Sequence, residues 1–146
     1  MIVQYTHIIF STFKRRALIR EDVQSDLWAY MGGIARKRGM TAHAIGGVEN
    51  HVHLLLSIPK EMSLSKAMQL IKSGSSKWMN DSHFPDRRFR WQHKYAAFSV
   101  SPTRVNRVID YIQRQPEHHR EMSFQEEVDR LAKKYGLGSD KRGVFN

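Results

Sequence analysis

The sequence predicts an α+β domain of the ferredoxin-like, split βαβ type, an antiparallel sheet with helices packed on one face and extra helices at the C-terminal end. Three observations predict it. Strand and helix character alternate in the order β α β β α β α α, the middle pair of strands meets at a Gly- and Asn-containing junction, and apolar spacing switches between the two-residue and the 3.6-residue period.

Residues 3–13, VQYTHIIFSTF, are β-branched and aromatic with partial alternation and predict the first strand, with the cluster Lys14, Arg15 and Arg16 directly after it. Ile19, Val23, Leu27, Tyr30, Met31 and Ile34 share a helical spacing, so residues 19–38 predict a long helix, stopped by Gly39. Residues 40–48 and 51–58 read as two strands pairing in a hairpin around Gly46, Gly47 and Asn50. A second helix is expected from an N-cap at Ser63 to about Asn80, weakened at Gly74. The turn-forming, cationic stretch 82–94 predicts a loop, and YAAFSVS a fourth strand ending at Pro102. Pro102 or Thr103 then opens a helix running through at least Arg114, and a last helix spans Ser123 to Tyr135.

The 146 residues predict a single domain, 1–146, with a flexible tail after about residue 136. Lys and Arg number 24 against 14 Asp and Glu, a net charge of +10, which favours a polyanionic partner such as nucleic acid. The sequence lacks cysteine, excluding a disulfide scaffold and a thiolate zinc site. It shows no signal peptide and no apolar span of membrane length, so a cytoplasmic location without a membrane partner is expected.

Two features could carry chemistry. In HVHLLLS the strand period turns His51, His53 and Leu55 to one face and Val52, Leu54 and Leu56 to the other, so both imidazoles can converge on one ion. The alternative is a His-x-His on the wet face of a half-buried sheet. Tyr111 lies off the apolar stripe of Val105, Val108, Ile109 and Ile112, on the flank of Arg104 and Arg107. Arg107, Tyr111 and Gln115 follow one another at i, i+4, which would align a cation, a hydroxyl nucleophile and a neutral oxygen ligand. A partly exposed tyrosine that merely packs is the competing reading.

The blocks HVHLLL, RWQHKYAAFSVS, YIQRQPEHH and FQEE, in that order across nearly the whole chain, resemble the single-tyrosine HUH transposases, including the REP-associated tyrosine transposases. The resemblance implies that His51 and His53 bind a divalent ion, magnesium or manganese, with Gln115 as the third protein ligand and Tyr111 as the nucleophile. It further implies cleavage of single-stranded DNA near hairpin ends through a 5′-phosphotyrosine, rejoining by the reverse attack, and no nucleotide cofactor. It implies a homodimer in which active sites can be shared between subunits. His118 and His119 match a His-His pair of the family and are auxiliary candidates for proton transfer or metal binding. Pro116, directly after Gln115, departs from the pattern and is expected to kink the helix there. Arg114 stands where relatives often have Asn.

For DNA binding the candidates are Lys14, Arg15, Arg16, Lys72, Lys77, Arg88, Arg90, Arg104 and Arg107, interleaved with Phe89 and Trp91 as stacking partners. Trp91 suits a core position equally well. The rival functional reading is a non-catalytic nucleic-acid-binding ferredoxin-like domain, which explains charge, fold and aromatics but leaves His51, His53 and Tyr111 without a role. A replication initiator or mobilisation nickase would share the chemistry but is expected to carry further domains.

Overall fold

A computed structural model describes residues 3–117 and 122–135. Four strands, β1 (Tyr5–Ser11), β2 (Thr41–Gly47), β3 (His51–Ser57) and β4 (Ala96–Val100), form one antiparallel sheet in the order β2-β3-β1-β4. Helices α1 (Glu21–Lys37) and α2 (Leu64–His83) cross over between strands. That is the split βαβ order the sequence predicts.

The two central strands are buried on both faces, which explains why HVHLLLS reads as a nearly continuous apolar run. Ile8 and Phe10 of β1 and Val52, Leu54 and Leu56 of β3 join Leu27, Met31, Met68 and Ile71 of α1 and α2 in the main core. The opposite face is covered as well. There Ile9, Leu55, Phe98 and Val100 meet α3 (Val105–Gln113) and α4 (Phe124–Lys134). The additional C-terminal helices therefore form a second layer across the sheet from α1 and α2, and everything on that face lies between them and the strands.

Local rules account for the ends of the elements. Ser63 caps α2 by accepting from the Lys66 amide at 3.0 Å, and Ser123 caps α4 by accepting from Glu126 at 3.2 Å. Gly39 takes φ +81° just beyond α1, the left-handed stop a glycine permits. Gly74 does not interrupt α2. A methyl there would meet Ile34 Cδ1 at 2.8 Å, so the glycine lets α1 and α2 approach closely.

Two boundaries differ from the sequence expectation. Pro102–Arg104 form a 3-10 turn before α3, and α3 ends at Gln113 rather than running through Arg114. The break falls at Arg114 (φ −101°, ψ 20°), and Gln115, Pro116 and Glu117 start a new helical turn. Pro116 thus occupies a first-turn position, where its missing N–H has no carbonyl to leave unmet. The kink precedes Gln115 instead of displacing it.

Candidate active site

The register of β1 and β3 assembles the site. Ile9 pairs with His53, His7 with Leu55 and Ser11 with His51, so His7, His51 and His53 all point to the face covered by α3 and α4. All three are fully buried, which overturns the alternative of a wet sheet face. Gln115 and Glu127 are buried with them.

Helix α3 packs on β2 and β3 and sets the Tyr111 ring against His53, with centroids 5.7 Å apart. The hydroxyl is turned toward Gln115 and Glu127. Burial, and then the negative charge of Glu127, raises the Tyr111 pKa well above the ordinary phenol value. Tyr111 also packs on the apolar cluster of Ile9, Phe98 and Phe124 and against the rings of His7 and His53, so packing and a hydroxyl turned toward a carboxylate coexist.

The cluster is short of positive charge. His51 Nδ1 lies 2.8 Å from Asn50 Oδ1 and His51 Nε2 lies 3.1 Å from Gln115 Oε1. Both neighbours are acceptors, and a neutral imidazole has a single N–H to give. Glu127 Oε1 adds a full negative charge 3.7 Å from His51 Nε2 and 2.5 Å from His53 Nε2. Both Glu127 carboxylate oxygens are buried without a well-formed hydrogen bond. Burial alone would raise the Glu127 carboxyl, yet the two imidazoles facing it hold its pKa well below the usual carboxylate range.

A second proton on an imidazole or a cation between the groups relieves this arrangement. One ligand atom from each of His51, His53 and Glu127 lies within 4.8 Å of the others, and Gln115 Oε1 faces the same nitrogen of His51. Two imidazoles, a carboxylate and an amide oxygen are a donor set that suits a divalent ion. The 2.5 Å contact of His53 with Glu127 is tighter than the roughly 3 Å between adjacent ligands of one small ion, so seating an ion requires the carboxylate to draw back slightly.

Glu127 has no place in the ligand set read from the sequence, although a signal for it exists. In α4 it shares the apolar stripe of Phe124, Val128 and Leu131 at i, i+3, i+4 and i+7, and a carboxylate on a buried stripe needs a partner. His7 is the other omission; burial, with His53 beside it, lowers its pKa well below the ordinary histidine value. His118 and His119 lie outside the described residues.

The predicted DNA-binding cations separate into groups. Arg104 and Arg107 line a cleft of about 60 Å³ with Val108, Tyr111, Lys134 and Tyr135, beside the tyrosine. Lys14, Arg16 and Arg90 gather around the Phe13 ring, with Arg90 3.8 Å from its centroid. Arg15 donates to Gln125 at 2.9 Å and lies over Phe124, tying this basic turn to α4. Lys14 and Arg15 hold φ near +55°, a left-handed pair that is uncommon outside glycine. Lys77 pairs with Asp81, and Arg88 lies over Phe84 near Asp86. Lys72 is turned inward, donating to the carbonyls of Gln92 and His93, and burial lowers its pKa to about 8. Its ammonium therefore clamps the 82–94 loop.

The stacking role read for Phe89 and Trp91 is corrected. Both belong to the main core, where Trp91 packs edge-on to Phe10 and donates from Nε1 to Ser75 Oγ at 2.9 Å. The alternation of aromatics and cations in FRW is that of a strand-like segment with one buried side. Phe13 is the aromatic that cations surround.

Comparison with known proteins agrees with this architecture. The chain superposes on the crystal structure of a Deinococcus radiodurans protein assigned as a transposase, with a TM-score of 0.64, 22% identity, and coverage of 79% of this chain and 92% of that one. It also superposes on a REP-associated tyrosine transposase bound to a REP hairpin, with a TM-score of 0.61, 16% identity, and coverage of 80% and 68%. No curated protein matches the sequence. The family profile described as "Transposase IS200 like" matches residues 2–115, from before β1 to Gln115. A chain with this sheet and this match over most of its length belongs to the IS200-like transposase family.

Proposed function

We propose that the protein is a metal-dependent transposase that cuts and rejoins single-stranded DNA through a covalent tyrosine intermediate, the whole of 1–146 acting as one domain. The observation that carries this reading is the Tyr111 side chain, its ring packed against His53 and its hydroxyl turned toward Gln115 and Glu127. His51, His53 and Gln115 would hold the ion, magnesium or manganese, with Glu127 beside them. A divalent ion bound there would supply Lewis-acid polarisation of a phosphate oxygen and lower the pKa of a nearby phenol.

The chain's own residues do the rest. The Tyr111 oxygen attacks phosphorus, the bond from phosphorus to the 3′ oxygen breaks, and the upstream fragment leaves with a free 3′-OH while the downstream fragment stays joined through its 5′ phosphate to the tyrosine. The phenolic proton is released to water and the departing 3′ oxygen takes one up from water, so the protons balance; Glu127, whose carboxyl is held well below the usual range, is too weak a base to keep the phenolic proton. Arg104 and Arg107 face phosphates flanking the scissile one, and the patch around Phe13 follows the strand. Reverse attack by a 3′-OH reseals DNA without a nucleotide cofactor, because the phosphotyrosine conserves the diester's energy. Hairpin-containing DNA is the proposed substrate, supported by the hairpin-bound neighbour. A cytoplasmic location is part of the same proposal. Among the described residues no helix is long and apolar enough to cross a membrane. The homodimer with shared sites remains part of the proposal, though Tyr111 already meets the histidines of its own chain, which supports a site completed within one subunit.

The test is incubation with labelled single-stranded hairpin DNA and Mn²⁺, followed by denaturing electrophoresis. A covalent protein–DNA band is expected; tight binding with no such band under any divalent ion supports the non-catalytic reading instead. A second measurement addresses the basic surface. With about five phosphates contacted, the logarithm of affinity should fall with the logarithm of salt at a slope of about −3.5. A flat dependence contradicts a backbone groove.

A further inference from the structure

A third imidazole stands behind the first two. His7 Nε2 lies 2.9 Å from His53 Nδ1, and His7 Nδ1 lies 3.0 Å from Tyr135 Oη. With the 2.5 Å contact from His53 Nε2 to Glu127, a continuous file runs from Tyr135 through His7 and His53 to the carboxylate. Tyr135 is held by stacking on Phe98, with centroids 4.6 Å apart and planes within 6°. Each link has room for one hydrogen, so the direction of one link sets that of the next.

Two directions exist. In the first, His53 carries its hydrogen on Nε2, beside the Glu127 carboxylate, His53 Nδ1 accepts from His7 Nε2–H, and His7 Nδ1 accepts from the Tyr135 hydroxyl. In the second, the His53 Nε2 lone pair is given to a cation. Its hydrogen then sits on Nδ1 and is donated to His7 Nε2, and His7 donates from Nδ1 to Tyr135 Oη. His51 has no such choice, because Asn50 Oδ1 accepts only and keeps its hydrogen on Nδ1.

We infer that His7 is a positioning residue for the metal centre, supplying the acceptor that His53 needs to present Nε2 to the ion, and that ion binding reverses both imidazole tautomers together. This rests on the reading of His53 as a ligand. A histidine that only filled space would keep its tautomer when the ion arrives.

Nitrogen NMR of the full chain labelled at its histidines, without and with saturating Mg²⁺, reads the tautomers directly. His7 and His53 should both change from Nε2–H to Nδ1–H. In parallel, Mn²⁺ binding followed by electron paramagnetic resonance should weaken about 10–100-fold in His7→Leu. It should largely recover in His7→Gln, whose amide oxygen can accept from His53. A His7 tautomer unchanged at saturation overturns the inference, as does His7→Leu binding Mn²⁺ like wild type while His51→Ala has lost it. If wild type binds no divalent ion at all, the metal reading falls and this inference with it, an outcome distinct from the other two. Should His7→Leu fail to fold, the wild-type spectra and His7→Gln decide.

Discussion

Tyr111→Phe is expected to abolish the covalent DNA adduct while hairpin binding stays within about twofold of wild type. The substitution removes one oxygen and leaves the ring in place against His53 and His7. No other described tyrosine is placed to substitute. Tyr135 is committed to His7 and stacked on Phe98, and its pKa is pushed up to about 12 by burial, with Arg104 acting in the opposite sense. The phosphate contacts proposed for Arg104, Arg107 and the Phe13 patch do not involve the hydroxyl, so affinity should be preserved. Folding stability should change by about 1 kcal/mol or less, one buried hydrogen-bonding group being lost. Adduct yield, filter binding and a thermal melt check the three parts, and a persistent adduct would transfer the nucleophile's role to another residue.

The second large effect is expected at a residue that touches no DNA. Gly46 of β2 lies beneath α3, and a methyl on it would meet Ile112 O at 2.6 Å and Ile112 Cγ2 at 3.2 Å. The first neighbour is backbone and cannot rotate aside. Gly46→Ala should therefore push α3 off the sheet, at a cost of about 1–3 kcal/mol for overpacking. Ile112 follows Tyr111 in the chain, so the same displacement moves the hydroxyl away from Glu127 and Gln115. A shift near 1 Å in a reacting group costs on the order of 100-fold in rate. Adduct formation should thus fall by about two orders of magnitude in protein that is still folded at low temperature. A variant with normal melting and normal rate would show that close packing of α3 on β2 does not place the tyrosine.

Much of this architecture is legible in the sequence, because the signals are local. Alternation in residues 3–13 and 51–58, the Ser63 and Ser123 caps and the Gly39 stop identify the elements, and their order identifies the sheet. His51 and His53 declare themselves by lying two apart on one strand. What is not legible depends on register between distant segments. His7 meets His53 only because β1 and β3 pair with Ile9 opposite His53, and nothing within the first strand distinguishes its histidine from an edge residue. Glu127 reaches the site through the docking of α4 and Tyr135 through the residue just beyond it, both after the family match ends at Gln115. Phe89 is misread as a stacking partner for the opposite reason, since cations between aromatics occur both on a binding strip and on a segment with one buried edge; for Trp91 the core position is one of two readings.

The seal over the histidines has a kinetic consequence. His51, His53 and Gln115 have no exposed surface, and Phe124 of α4 lies with its ring centroid 4.7 Å from that of His51. On the proposed reading the scissile phosphate has to approach ligands that Phe124 and its helix cover, so the rate of adduct formation would scale with the fraction of time this cover is loosened. The bond from Arg15 to Gln125 joins the basic turn to that same helix, so on the proposed DNA path a strand arriving at Lys14 and Arg16 would load that same cover.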